Sequence, residues 1–122
     1  MPYHYGFCPN KRAWDAEMLR LKLTDPPPYP AEYDGRCSHF ECVKDRNACA
    51  IVTISDEPKH PMTKVGMLIH EAMHVWRFMR YAIGEDAPSM EFEAYSMQSI
   101  ASNLIRAYEQ ARGPLIAKRS AK

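Results

Sequence analysis

An α+β fold follows from three features of the chain. Two long segments repeat apolar residues at helical spacing, one ending before Gly84 and one from Ser89 to about Arg112. A β-branched run, Ile51-Val52-Thr53-Ile54, follows a second strand-like segment closely enough to pair with it. A proline cluster separates these elements from an N-terminal helix. At 122 residues and 46% apolar content, one domain with a single modest core is expected.

The elements follow in order. Asn10 to Leu23 reads as a helix, with Asn10 as its cap and Trp14, Met18 and Leu21 recurring on one face. Asp25-Pro26-Pro27-Pro28-Tyr29-Pro30 breaks it into a rigid connector, so residues 1–35 form an N-terminal helix and linker. Arg36 to Val43 and Ala48 to Ser55 form a β-hairpin or small antiparallel sheet about the turn Lys44-Asp45-Arg46-Asn47, within residues 36–55. Residues 63–112 then hold a helix pair, with Thr63 a candidate cap for the first and Ser89 for the second. Gly84 to Pro88 connects the two, and Gly113-Pro114 ends the last.

The first helix of that pair carries His70-Glu71-Ala72-Met73-His74. Histidines four apart share one face of an α-helix, so their imidazoles can close on one metal ion. Glu71 points about 100° around the helix, beside the metal rather than onto it. That is where a general base for an attacking water belongs. The segments on either side, Val65 to Ile69 and Val75-Trp76, are apolar on nearly every face, as in a buried central helix. Burying two histidines and a glutamate is costly without a partner, and a metal ion partners all three.

A catalytic zinc keeps three protein ligands and one open position. Two downstream glutamates are candidates for the third. Glu93 lies four residues before Met97 and seven before Ile100, near the centre of the stripe formed by Met97, Ile100, Ala101, Leu104, Tyr108 and Ala111. Glu91 projects to the polar side with Gln98, Ser102 and Glu109, where the helix dipole alone accounts for an acid in the first turn. Glu93 is therefore the favoured ligand and Glu91 the alternative.

This pattern, HExxH followed by a glutamate-bearing helix, resembles the zincin metallopeptidases whose third ligand is a glutamate. It implies a minimal zincin-like domain: N-terminal helix, hairpin, HExxH helix and C-terminal ligand-bearing helix. The likeness covers roughly residues 50 to 105. Glu93-Ala94-Tyr95-Ser96 and Glu91-Phe92-Glu93-Ala94 both fit the glutamate-containing form of the second helix. Met97 or Tyr95 stands where such proteins often carry an acidic or amide residue to orient a histidine, a departure from the pattern. The compact chain is most similar to small zincin-like proteins of phages and prophages. The resemblance implies one Zn2+ per chain, a peptide or protein substrate, and a substrate-binding edge strand, for which Cys49 to Ser55 is the candidate. Tyr81, His60 and Tyr108 are all candidates for an additional oxyanion donor, and nothing in the sequence selects among them.

Other partner classes are excluded. A net charge of +1 argues against a dedicated nucleic-acid binder. The basic tail Lys118 to Lys122 reads as a solvated end. No apolar run is long enough to span a bilayer, and Met1 to Tyr5 has no signal-peptide layout, so no membrane partner and a cytoplasmic location are expected. Cys8, Cys37, Cys42 and Cys49 form no Cys-x-x-Cys knuckle. A second zinc site from Cys37, His39, Cys42 and Cys49 is conceivable, as is a cross-strand Cys42–Cys49 pair, but half-buried reduced thiols are favoured. A domain this small offers few walls for a specificity cleft, which a larger assembly or homo-oligomer can complete.

Three function classes fit these residues: a zinc peptidase, a non-proteolytic zinc amidase, and a metal-stabilised interaction protein without turnover.

Overall fold

The computed structural model describes residues 3–42 and 47–115. Six elements follow one another: β1 (Tyr3–Phe7), α1 (Lys11–Leu21), β2 (Gly35–Cys42), β3 (Asn47–Ile54), α2 (Pro61–Ala82) and α3 (Met90–Arg112). The fold is α+β, as the pattern predicts. The expected turn Lys44 to Arg46 and the basic tail lie outside the described residues.

The caps show how local chemistry places the helices. Asn10 Oδ1 accepts from the Ala13 amide at 2.8 Å and starts α1. Lys22 then takes the left-handed conformation (φ 55°) and its amide closes onto the Leu19 carbonyl, so the helix ends before Leu23. Ser89 Oγ accepts from the Phe92 amide at 3.1 Å and caps α3. For α2 the cap is His60 rather than Thr63. Its Nδ1 accepts from the Met62 amide at 3.1 Å, and Pro61 enters at the first position, where a missing N–H costs nothing.

The sheet order is β1-β3-β2. β2 and β3 form the expected antiparallel hairpin, from Gly35↔Ile54 to Cys42↔Asn47. β1 joins it in parallel to β3, from Tyr3↔Ala48 to Phe7↔Val52, which makes the sheet mixed. β3 is therefore central, and the expectation that Cys49 to Ser55 offers a free edge is corrected: both its edges are occupied. Its sequence explains the position. Ala50, Val52 and Ile54 bury one face, Cys49 and Ile51 the other, so the strand is apolar on both sides.

Helices cover both faces. Trp14 and Met18 of α1 pack with Cys8, Cys49 and Ile51 on one side. On the other, Leu68, Ala72, Val75 and Trp76 of α2 and Ile100, Leu104 and Tyr108 of α3 close over Ala50, Val52 and Ile54. Tyr3 ties the sheet to α2 through its hydroxyl, which donates to the Val75 carbonyl at 2.9 Å. No helix among the described residues is long and apolar enough to cross a membrane.

This layering also separates the cysteines. Cys37 packs toward α2 and Cys49 toward α1, on opposite faces of β3 and its neighbour, so the two cannot share a metal. Cys49 pairs in register with Phe40 and Cys42 with Asn47, so Cys42 and Cys49 are not cross-strand partners. Among the described residues, Cys8, Cys37 and Cys49 are not disulfide-bonded. Burial pushes the Cys8 thiol up to about 11 and that of Cys37 up to about 12, the Glu71 carboxylate adding to the latter. At pH 8 these two thiols are expected to alkylate more slowly in the native protein than in the unfolded chain, on the order of 100-fold for Cys8 and 1,000-fold for Cys37, because thiolate is the reacting form. Mass spectrometry of a timed iodoacetamide reaction reads this directly; labelling of both at the unfolded rate refutes it.

Candidate metal centre

Helix α2 brings three of the anticipated site residues together. His70 and His74 point outward from one face, with their Nε2 atoms 3.3 Å apart. Their rings lie 5.0 Å apart, tilted by 67°. Glu71 is buried, 4% exposed, and its carboxylate belongs with both imidazoles to a group whose donor atoms lie within 4.8 Å of one another.

Geometry tests whether this donor set suits a metal. Two Zn–N bonds of about 2.05 Å at a tetrahedral angle hold their nitrogens about 3.3 Å apart. The observed separation of 3.3 Å matches that span. It is long for a hydrogen bond between imidazoles. The two histidines are thus spaced as a pair of ligands to one metal ion would be.

Strand β2 forms one wall of the site. Its α2-facing residues step down the helix in order. A Cβ at Gly35 would lie 3.4 Å from Glu71 Oε2 and 3.7 Å from Met67 Cε. His39 stacks edge-to-face on Phe78, with centroids 4.2 Å apart at 80°. Glu41 shares a cleft with Arg77, Phe78 and Tyr81. From Gly35 to Glu41 a strand advances about 20 Å, and from Met67 to Tyr81 a helix advances about 21 Å. β2 and α2 thus run side by side in the same direction. The glycine at 35 lets the strand approach the buried carboxylate closely.

Electrostatics follow from this wall. Burial raises the Glu71 carboxyl above the usual carboxylate range, while His74, His70 and Arg36 pull it back down. Burial lowers the His39 imidazole, and the nearby His74 and Arg36 lower it further. His39 is thus a neighbour of the histidine pair that the sequence reading had weighed only as part of a cysteine site. Its alternation with Gly35 and Cys37 on one strand face was the available signal.

The two glutamates of α3 sit apart from this group. Glu93, half-buried on the predicted core-facing stripe, accepts a 2.8 Å hydrogen bond from the indole N–H of Trp76. The Glu93 carboxylate thus has a protein partner. Trp76 lies two residues past His74, about 200° around the helix, so α3 packs on the flank of α2 away from the histidines. Glu91 is exposed in the first turn of α3. Of the oxyanion candidates, Tyr108 is buried against Phe7 and His60 caps α2 ten residues before His70. Tyr81 is 78% exposed and lies two turns beyond His74 on the same side as His39.

The chain matches no protein-family model, no curated protein and no solved structure.

Proposed function

We propose that this protein is a zinc-dependent hydrolase, most simply a peptidase, with His70 and His74 as metal ligands and Glu71 as general base. The observation that carries the reading is the 3.3 Å separation of the two Nε2 atoms beside a buried carboxylate. When bound, zinc supplies a Lewis acid that polarises a carbonyl and acidifies a water.

The chain's own residues do the rest. Glu71 takes a proton from the attacking water and returns it to the leaving amine. Its burial beside Gly35 keeps the carboxyl above the ordinary range, which suits a group that must hold a proton between two transfers. Glu93 is the proposed third protein ligand, with Glu91 the alternative. For Glu93 this requires both loss of the Trp76 hydrogen bond and a shift of α3 around α2 toward the histidine pair.

The substrate edge passes from β3 to β2, whose outer side pairs with no strand of the described sheet. A cleft of about 450 Å³ separates Arg36 to Phe40 from the connector residues Pro27, Pro28, Pro30 and Tyr33. Prolines have no N–H to donate, so this connector does not itself complete the sheet. An extended peptide laid along β2 passes the histidine pair.

The test is the metal content of protein purified without chelator or affinity-tag metal. About one zinc per chain is expected. A metal-free protein that cannot be reconstituted with zinc sinks the reading. The Glu93–Trp76 bond favours one competing reading, a metal-stabilised interaction protein lacking a complete catalytic ligand set.

A further inference from the structure

Beyond the histidine pair, β2 and α2 enclose a cleft of about 560 Å³ bounded by His39, Glu41, Arg77, Phe78 and Tyr81. Phe78 lies one helical turn past His74, about 6 Å along the axis, and Tyr81 about 10 Å along it. The cleft therefore lies beside the candidate metal centre along α2, and three of its five lining residues carry rings. Phe78, only 7% exposed, lines the cleft with its ring edge-to-face on that of His39. Tyr81 stands 78% exposed at the rim, an aromatic side chain with little buried against it. The charged lining residues, Glu41 and Arg77, are of opposite sign and leave no net preference for a charged occupant.

We infer that this cleft is the subsite for an aromatic side chain of an extended peptide substrate; the inference rests on the hydrolase reading. An aromatic guest meets the rings of Tyr81, Phe78 and His39 at edge-to-face or offset distances that an aliphatic one cannot exploit. It also offers a π-face to the Arg77 guanidinium. Spacing fixes where that residue falls. An extended peptide advances about 3.3 Å per residue, so a side chain 6–10 Å from His74 belongs to a residue two or three positions from the carbonyl being attacked.

The test separates binding from turnover. An array of peptides, identical except for Phe, Tyr, Trp, Leu, Asp or Lys at one varied position, is probed with the zinc-loaded protein and with its Tyr81→Ser variant. Peptides with an aromatic residue are expected to be retained roughly two- to tenfold better than their Leu counterparts, the size of a ring–ring contact. Tyr81→Ser is expected to erase most of that gain with zinc content and melting temperature unchanged, since the side chain is exposed. Equal retention of Leu and aromatic peptides overturns the proposal, as does a preference for Asp, which would assign the cleft to Arg77. A gain that survives Tyr81→Ser overturns it as well. Aromatic retention without any hydrolysis leaves the subsite in place and counts against the hydrolase reading alone.

Discussion

The Glu71→Gln protein is expected to keep its fold and its zinc and to lose turnover by about 10²–10⁴-fold, the usual contribution of a positioned general base. Glutamine preserves the shape of the side chain but cannot accept a proton from water. The contrast with a non-catalytic role is sharp, because a structural carboxylate replaced by its amide leaves nothing to lose in an activity assay. Hydrolysis at the parent rate by this variant would falsify the mechanism.

The same substitution has a second signature in the metal-free protein. Burial raises the Glu71 carboxyl, so the folded state holds its proton more tightly than the unfolded chain does. Stability from this group is therefore present below the ordinary carboxylate range and is lost as pH rises through the raised value. In chelator, Glu71→Gln is expected to melt above the parent at pH 7, with the difference vanishing below pH 4. A lower melting temperature for the variant at pH 7 would mean that the carboxylate is well satisfied without metal.

Removal of either histidine is expected to weaken zinc binding by more than about 100-fold, since even the loss of a partner that merely orients a ligand costs 10- to 100-fold. The consequence for stability is large. A ligand at about 1,000 times its Kd adds about 4 kcal/mol to the folded state. For a domain of this size that is a rise in melting temperature on the order of 10–20 °C. The parent is expected to show this shift on adding zinc, and His70→Ala and His74→Ala to show almost none. A parent whose melting temperature ignores zinc leaves the histidine pair without its proposed role.

The third ligand is decided by the same measurement. Glu93→Ala is expected to lower zinc affinity and Glu91→Ala to leave it unchanged. Trp76→Phe adds an independent handle, because it removes the N–H that now engages Glu93. Trp76 is fully buried, and the smaller ring costs roughly 1–3 kcal/mol of stability in the metal-free state. With its carboxylate released, zinc affinity is expected to rise. If the affinity is unmoved by Trp76→Phe and by Glu93→Ala, Glu93 is a structural partner of the tryptophan and nothing more.

Much of the local structure was legible in the sequence because its causes are local. Asn10 and Ser89 cap their helices through bonds to amides three residues on, and His70 and His74 meet because a helix brings positions four apart together. The stripe through Ile100, Leu104 and Tyr108 is buried as its period requires. The α2 start was misplaced by a few residues because His60 offers a ring nitrogen that serves as well as a hydroxyl. The strand Tyr3 to Phe7 was missed although its alternating aromatics, Tyr3, Tyr5 and Phe7, all turn to the core. Five residues without a neighbouring strand in sequence give a weak signal, and the partner of this strand lies some forty-five positions downstream.

By itself, then, the sequence determined the α+β class, the two long helices and the pairing of His70 with His74 beside Glu71. Those features depend on backbone periodicity and on side chains within one turn of each other. Tertiary structure alone decided that β3 is central, that β2 carries the open edge, that His39 neighbours His74, and that Glu93 faces Trp76. These depend on strand order and on which flank of α2 each neighbour covers. Hydrogen bonds and packing between residues far apart in the chain set both, and no local period encodes them.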